Sequence, residues 1–309
     1  MNADQCVVGV DGGGTKTVAW LAVRSPTGSE DILGRGRSGP ANPSAVGIGS
    51  AISSIQEAIE SAFADAGMQQ RQPLAAACLA IAGADRDAES SQIAAWAERQ
   101  SLAARLWFSN DAEPLLACID LGWGVALIAG TGSFALGRTA DGQIAKVGGW
   151  GFRLGDEGSG YAVAIEGLTA AAKFADGRGP ETTLLDAVMS RFSVREPRDL
   201  ISRLYDPEVD RRAIADLAPL VLAHSQANDP VARAVVSRAA KSLAVLVGTV
   251  RCQLSLPPDS PIAMTGGLLV NSSEVRASLI AALRRDGLTS EPTLVPEPVR
   301  GAVELARRL

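Results

Sequence analysis

The sequence predicts an α/β protein of two domains with mixed sheets, and three observations carry that prediction. Val7 to Val23 reads as a strand, a glycine-rich turn and a second strand. Val125 to Gly137 repeats that order around Gly130-Thr131-Gly132-Ser133. The chain has 309 residues and is 47% apolar, enough for two cores. Helical and strand-like segments follow each unit, which points to layered α/β domains with a boundary near Cys118, at 1–117 and 118–309.

In the opening unit, glycines reach turn conformations without steric cost, and Val18 to Val23 is β-branched and aromatic. Gly34 to Gly47, rich in Gly, Ser, Pro and Asn, reads as a loop. The spacing of Ile52, Ile55, Ile59, Ala62 and Phe63 predicts an amphipathic helix stopped by Gly67. Ala75 to Ile81 reads as a buried strand ending at Ala82-Gly83-Ala84-Asp85. A helix around Glu89 to Gln100 and a strand at Arg105 to Phe108 follow. Ser109-Asn110-Asp111 ends that strand, and Ala112 to Leu121 reads as a helix. After the second turn, Asp141-Gly142 makes a hairpin leading to Gly148-Gly149-Trp150-Gly151 and Leu154-Gly155-Asp156-Glu157-Gly158-Ser159-Gly160. Tyr161 to Leu254 is mostly helical. A strand at Pro261 to Thr265 enters Gly266-Gly267, then come a helix from about Ser273, a short strand at Thr293 to Val295 and a last helix at Val299 to Arg308. The sequence does not assign that last helix to either domain.

Net charge is −5 without a clustered basic patch, so no nucleic-acid partner is expected. Cys6, Cys78, Cys118 and Cys252 form no C-x-x-C pair and read as ordinary core cysteines of a reduced, cytoplasmic protein. The short acidic stretch before Val7 does not read as a signal peptide, and the longest apolar run, Ser242 to Val250, reads as too interrupted to cross a membrane. The single histidine, His224, reads as a packed or solvated helix residue and leaves no His-based metal site.

The first turn is neither of two familiar phosphate loops. Its order is Gly14-Thr15-Lys16 rather than Gly-Lys-Thr, and a strand follows where a dinucleotide fingerprint needs a helix. It does offer consecutive backbone N–H groups, a hydroxyl and a lysine beside Asp11, a site suited to an anion with a carboxylate for Mg2+. A hairpin that needs its glycines for geometry alone explains the same residues.

Taken jointly, Asp11-Gly12-Gly13-Gly14-Thr15-Lys16-Thr17, Asn42, Ala82-Gly83, Asp111, Gly130-Thr131-Gly132-Ser133, Gly148-Gly149-Trp150-Gly151, Gly155-Asp156-Glu157-Gly158-Ser159 and Thr265-Gly266-Gly267 resemble the sugar kinases of the actin/hexokinase superfamily. Within them the chain looks like the N-acetylglucosamine kinase branch, grouped with the BadF/BcrA-type ATPases. The resemblance implies two actin-like ATPase (ribonuclease H-like) domains with a cleft between them. It also implies ATP and Mg2+ as cofactors, an amino-sugar substrate, no membrane partner and a homodimer.

By that resemblance, Gly13, Gly14, Thr15 and Lys16 form the first phosphate loop, with Asp11 close to Mg2+. Thr131, Gly132 and Ser133 form the second, and Gly266 and Gly267 pass close to adenosine. Asp111 would be the base that takes the sugar hydroxyl proton; otherwise it caps a helix. Asn42, Gly83, Gly149, Trp150 and Asp156 would face the sugar, and Glu157 resembles a second acidic residue reaching sugar hydroxyls, behind Asp156; the alternatives are a turn residue for Asn42, a core residue for Trp150 and a solvated turn residue for Glu157. The implied reaction is transfer of the γ-phosphoryl group to the 6-hydroxyl of N-acetylglucosamine. Glucosamine or a muramic-acid derivative is the runner-up substrate, and an ATPase activator or nucleotide-binding regulator the alternative of another class. The activators of this fold hold an iron–sulfur cluster through paired cysteines, and no such pair is present here.

Overall fold

The computed structural model describes residues 6–24, 32–68, 74–83, 87–119 and 122–309. The chain forms two compact units, one running to Gly122 and completed by Glu297–Leu309, the other Trp123–Pro296.

The first unit is built on a five-stranded sheet of β1 (Cys6–Gly12), β2 (Thr17–Val23), β3 (Ile32–Ser38), β4 (Leu74–Ile81) and β5 (Ala103–Ser109), in the order β3-β2-β1-β4-β5. β1 and β2 are the expected antiparallel hairpin, pairing Asp11 with Val18 and Gly12 with Thr17. β4 and β5 join in parallel to β1 and to each other in turn. Side chains alternate across a strand. Val8, Val10, Leu21 and Leu79 therefore face a core with α2 (Ile48–Asp65) and α3 (Asp87–Arg99), through Ile55, Ile59, Phe63, Ile93 and Trp96. Val7, Trp20 and Cys78 face the other way, onto Val299, Ala302 and Val303 of α13 (Val299–Arg307). With both faces covered, β1 and β4 read as unbroken apolar runs rather than alternating ones. The last helix thus packs on the first unit, and Arg307 Nε–H donates to the Val23 carbonyl at 3.0 Å.

The loop expected from Gly34 is instead strand β3 as far as Ser38. Its glycines are there for packing: a Cβ on Gly36 would lie 1.9 Å from the Ala58 carbonyl oxygen of α2. The remaining part holds α1 (Pro43–Val46). The helix expected at Ala112 to Leu121 is shorter, α4 (Glu113–Ala117), and residues 120 and 121 lie outside the described residues, as do Ala84 and Asp85.

The second unit repeats the plan. Its sheet holds β6 (Gly124–Ala129), β7 (Ser133–Arg138), β8 (Ile144–Gly148), β9 (Ile262–Thr265) and β10 (Thr293–Leu294), in the order β10-β9-β6-β7-β8. β6 and β7 form the hairpin, β8 extends it antiparallel, and β9 and β10 add in parallel. Between β8 and β9 run α5 (Gly160–Ala175), α6 (Leu184–Phe192), α7 (Leu200–Leu204), α8 (Arg211–Ala215), α9 (Ala218–Gln226) and α10 (Pro230–Gln253). α11 (Gly267–Asn271) and α12 (Ser273–Arg285) follow β9.

α10 begins at Asp229, whose carboxylate accepts the N–H groups of Val231 and Ala232, both at 2.9 Å. Burial raises its pKa, but these bonds and those from Thr183 and Thr182 outweigh it and hold the group at about 2. The apolar run Ser242 to Val250 lies in α10, and no helix among the described residues is long and apolar enough to cross a membrane. Cys6 and Cys78 are core residues, but Cys252 is exposed near the end of α10. His224 meets the Thr183 hydroxyl, with 2.6 Å between Nδ1 and Oγ1.

Two glycines separate packing from propensity. Gly36→Ala, which drives a methyl group into the α2 backbone, is expected to destabilise by about 1–3 kcal/mol. Gly248→Ala, inside α10 with nothing within 4 Å of its Cβ, is expected to stabilise by roughly 0.5–1 kcal/mol. Denaturant midpoints at constant m-value read both changes.

Candidate functional site

In the first unit the parallel register decides what meets. β1 and β4 align Asp11 with Ala80, and β4 and β5 align Ala80 with Ser109. Asp11 therefore stands at the same sheet edge as Asp111, two residues past the end of β5. Their charges interact. Asp11 keeps a small accessible edge, yet protein surrounds most of it. Burial, then the Asp111 charge, push its carboxyl up from 3.8 to about 7, against a smaller pull from Lys16. A cation placed at this edge would relieve both causes.

The turn beside Asp11 is tied down at its ends and open at its tip. Gly13 N–H donates to the Lys16 carbonyl at 2.9 Å, Ala41 N–H to the Gly13 carbonyl at 3.0 Å, and Ala82 N–H to the Gly12 carbonyl at 2.8 Å. Buried Thr17 donates its hydroxyl to the Gly39 carbonyl at 2.7 Å. Gly14, Thr15 and Lys16 are exposed. Asn42 caps α1, accepting the Ser44 N–H at 3.0 Å. Gly83 lies against it, so close that a Cβ there would be 2.5 Å from Asn42 Oδ1. The structure thus brings these two residues together. At Asp111, the cap of the following helix comes from its neighbour: Asn110 Oδ1 accepts the N–H groups of Ala112 at 3.0 Å and Glu113 at 3.1 Å.

In the second unit the Gly130–Ser133 turn is clasped by the segment at 156–160. Gly130 N–H donates to the Gly132 carbonyl at 2.9 Å, and Gly160 N–H to the Gly130 carbonyl at 2.8 Å. Ser133 spends both of its donors internally, its N–H on Asp156 Oδ1 at 3.1 Å and its hydroxyl on the Glu157 carbonyl at 2.7 Å. Its side of the turn is structural, and Thr131 and Gly132 form the rest. Gly266, at φ +102°, presses on the same place: a Cβ would lie 2.3 Å from the Ala129 carbonyl oxygen and 2.7 Å from the Gly130 nitrogen. Only glycine fits there, and it brings Gly266 and Gly267 beside the turn.

On the sugar side the structure bears on Asp156 and on the alternative reading of Trp150. Asp156, expected to reach sugar hydroxyls, is only 4% exposed, and both its oxygens are engaged. One holds Ser133 N–H and the other accepts Arg211 Nη2 at 2.6 Å, which turns the carboxylate toward the glycine-rich turn. Trp150 is not a core residue, since it is 73% exposed, with Phe152 and Leu154 also exposed nearby. Gly149 spends its N–H on the Ser133 carbonyl at 3.1 Å. The sequence reading missed Arg211. It opens α8, 55 residues beyond Asp156, and no motif or spacing marks it.

The raised carboxyl of Asp11 has a consequence for stability. Because its folded pKa lies above the ordinary 3.8, the native state holds this proton more tightly than the unfolded chain does. The contribution favours folding below about pH 4 and is lost as pH rises through about 7. Asn at this position removes the buried charge. Asp11→Asn is therefore expected to raise Tm at pH 8, with a smaller gain at pH 5, as calorimetric melting at the two pH values would register.

Comparison with known proteins shows the family. The model of the BadF/BadG/BcrA/BcrD ATPase family matches residues 8–306. An N-acetylmuramic acid/N-acetylglucosamine kinase of Clostridium acetobutylicum is 32% identical over 267 residues, 86% of each chain. An N-acetyl-D-glucosamine kinase of Dictyostelium discoideum is 32% identical over 273 residues, 84% of each chain. A solved structure from Chromobacterium violaceum, provisionally assigned as an N-acetylglucosamine kinase, superposes with a TM-score of 0.78 at 26% identity, covering 99% of this chain and 100% of that one. The match spans both units, and the chain belongs to the BadF/BadG/BcrA/BcrD ATPase family.

Proposed function

We propose that this protein is an ATP-dependent amino-sugar kinase that transfers the γ-phosphoryl group to the 6-hydroxyl of N-acetylglucosamine. One observation supports this most directly: Asp11 and Asp111 interact at one sheet edge, beside an exposed Gly14-Thr15-Lys16 tip. The relatives carry kinase names for sugars of this class.

Each residue then has a task. Asp111 accepts the proton of the attacking sugar hydroxyl, since a neutral alcohol gains from a positioned carboxylate. Gly14, Thr15 and Lys16 receive phosphate oxygens on one turn and Thr131 and Gly132 on the other, by backbone N–H groups and one ammonium, while Gly13 closes the first turn through its bond to Lys16. Gly266 and Gly267 give the adenosine a surface without side chains. Asn42 and Gly83 take sugar hydroxyls. The exposed indole of Trp150 offers the acetamido methyl an apolar face, while an N–H of the Trp150-Gly151 stretch meets its carbonyl.

The residues fit Mg2+ held by few protein ligands. Among the described residues no cluster of three or more His, Cys, Asp or Glu side chains could hold a metal. Asp11 is a carboxylate whose burial favours a neighbouring cation, and Mg2+ commonly takes one or two carboxylates with phosphate oxygens and water. When bound, Mg2+ neutralises charge on the phosphoryl oxygens. Lone, dispersed thiols support a cytoplasmic setting, and we propose a homodimer, which sedimentation velocity would test.

Two measurements test the reading. Asp111→Asn is expected to lower kcat by about 10²–10⁴-fold while an ATP analogue still binds with near-normal affinity. Turnover close to wild type would reduce Asp111 to a structural residue. An ADP-release screen over N-acetylglucosamine, glucosamine, N-acetylmuramic acid and glucose is expected to give N-acetylglucosamine the highest kcat/KM. Glucosamine or glucose used as well or better would overturn the acetamido role given to Trp150.

A further inference from the structure

We infer that Arg211 is a positioning residue for the nucleotide phosphates, acting through Asp156 on the Gly130–Ser133 turn. The inference rests on the proposed reading of that turn as a phosphate site and adds a residue outside every motif of the sequence.

Asp156 is buried and sits at φ +63°, a left-handed conformation that is costly for a residue with a side chain. Its place is therefore set by its partners. One carboxylate oxygen accepts Ser133 N–H at 3.1 Å, and the other accepts Arg211 Nη2 at 2.6 Å. The pair lies directly on the turn. A Cβ on Gly132 would be 2.6 Å from Arg211 Nη2 and 2.9 Å from Asp156 Oδ1, so the ion pair occupies the space a side chain at 132 would need.

A carboxylate this close to a phosphate-binding turn repels the anion the turn is built to receive, most strongly where water is excluded. It is nevertheless needed to hold Ser133. Arg211 resolves the conflict by cancelling the charge while leaving the Asp156 bond to Ser133 intact. Its guanidinium is held by Phe152, with Cζ 5.4 Å from the ring centroid, and the Phe152 ring in turn meets Tyr161 edge-on at 5.3 Å. Arg211 Nε is buried without a hydrogen-bond partner. Such a group is unfavourable in a purely structural arrangement, which would satisfy it. The guanidinium is held where the turn needs it.

The test is binding of a non-hydrolysable MgATP analogue by titration calorimetry, together with KM values for MgATP and N-acetylglucosamine. Arg211→Met removes the charge, and Arg211→Gln removes it while keeping a donor on a shorter side chain, so that one variant serves if the other does not fold. Both are expected to weaken analogue binding about 10-fold, to raise the KM for MgATP by the same factor and to leave the sugar KM within about 2-fold. Arg211→Lys is expected to restore most of the affinity. With Asp156→Asn already present, Arg211→Met is expected to change analogue binding less than about 2-fold, because the charge it cancels is gone. Unchanged analogue affinity in the Met and Gln variants overturns the role of Arg211, as does a loss that falls on the sugar KM or persists in the Asp156→Asn background. A wild-type protein that binds no analogue overturns the phosphate reading of the turn itself, and this inference with it.

Discussion

The parallel register of β1, β4 and β5 is the constraint on which the first unit depends. Parallel strands end on the same side of a sheet, so residues just past their ends are neighbours however far apart they lie in sequence. Here that rule puts Asp11, at the end of β1, beside Asp111, beyond β5. It also forces two carboxylates into one enclosed place, where burial and mutual repulsion lift the Asp11 carboxyl to about 7. The register is in turn held by packing on both faces. α2 presses on β3 closely enough to demand Gly36, and α13 lies on β1 so tightly that a Cβ on Gly9 would come 2.4 Å from the Val303 nitrogen. A sheet pinned on both sides can hold like charges together, because the strands cannot move apart to relieve them.

The second unit uses the same strand order for a different purpose. Its hairpin turn has no acidic residue at the position of Asp11; β6 ends at Ala129 and Gly130 follows. The carboxylate arrives from outside the hairpin, as Asp156, and is neutralised by Arg211. One turn thus stands beside a carboxylate that favours a cation, and the other beside a carboxylate already paired.

The family relationship and the local geometry constrain different things. The match along residues 8–306 and the relatives at 32% identity fix the kind of protein. The substrate proposed for it rests on a few exposed groups near Gly149 to Gly151. There an indole that is 73% exposed, on a segment whose glycines at 148, 149 and 151 all adopt positive φ, presents an apolar surface instead of filling a core.

The sequence by itself determined the two hairpins, the α/β class and the positions of the glycine-rich turns. Such features are local: a glycine turn between β-branched runs and a helical spacing of apolar residues are written in consecutive residues. Asp11, Asn42, Asp111 and Trp150 could be singled out as candidates for the same reason, each standing at a strand end, a cap or a turn. The tertiary structure decided the rest. Gly34 and Gly36 read as loop residues because their packing partner, α2, lies beyond the reach of local pattern. The last helix could be assigned only by seeing Val299, Ala302 and Val303 against Val7 and Trp20. Asp156 looked like a sugar ligand because nothing near it in sequence reveals that Ser133 and Arg211, 23 and 55 residues away, take its two oxygens. Contacts of that range depend on how strands and helices stack, and stacking is a property of the whole unit.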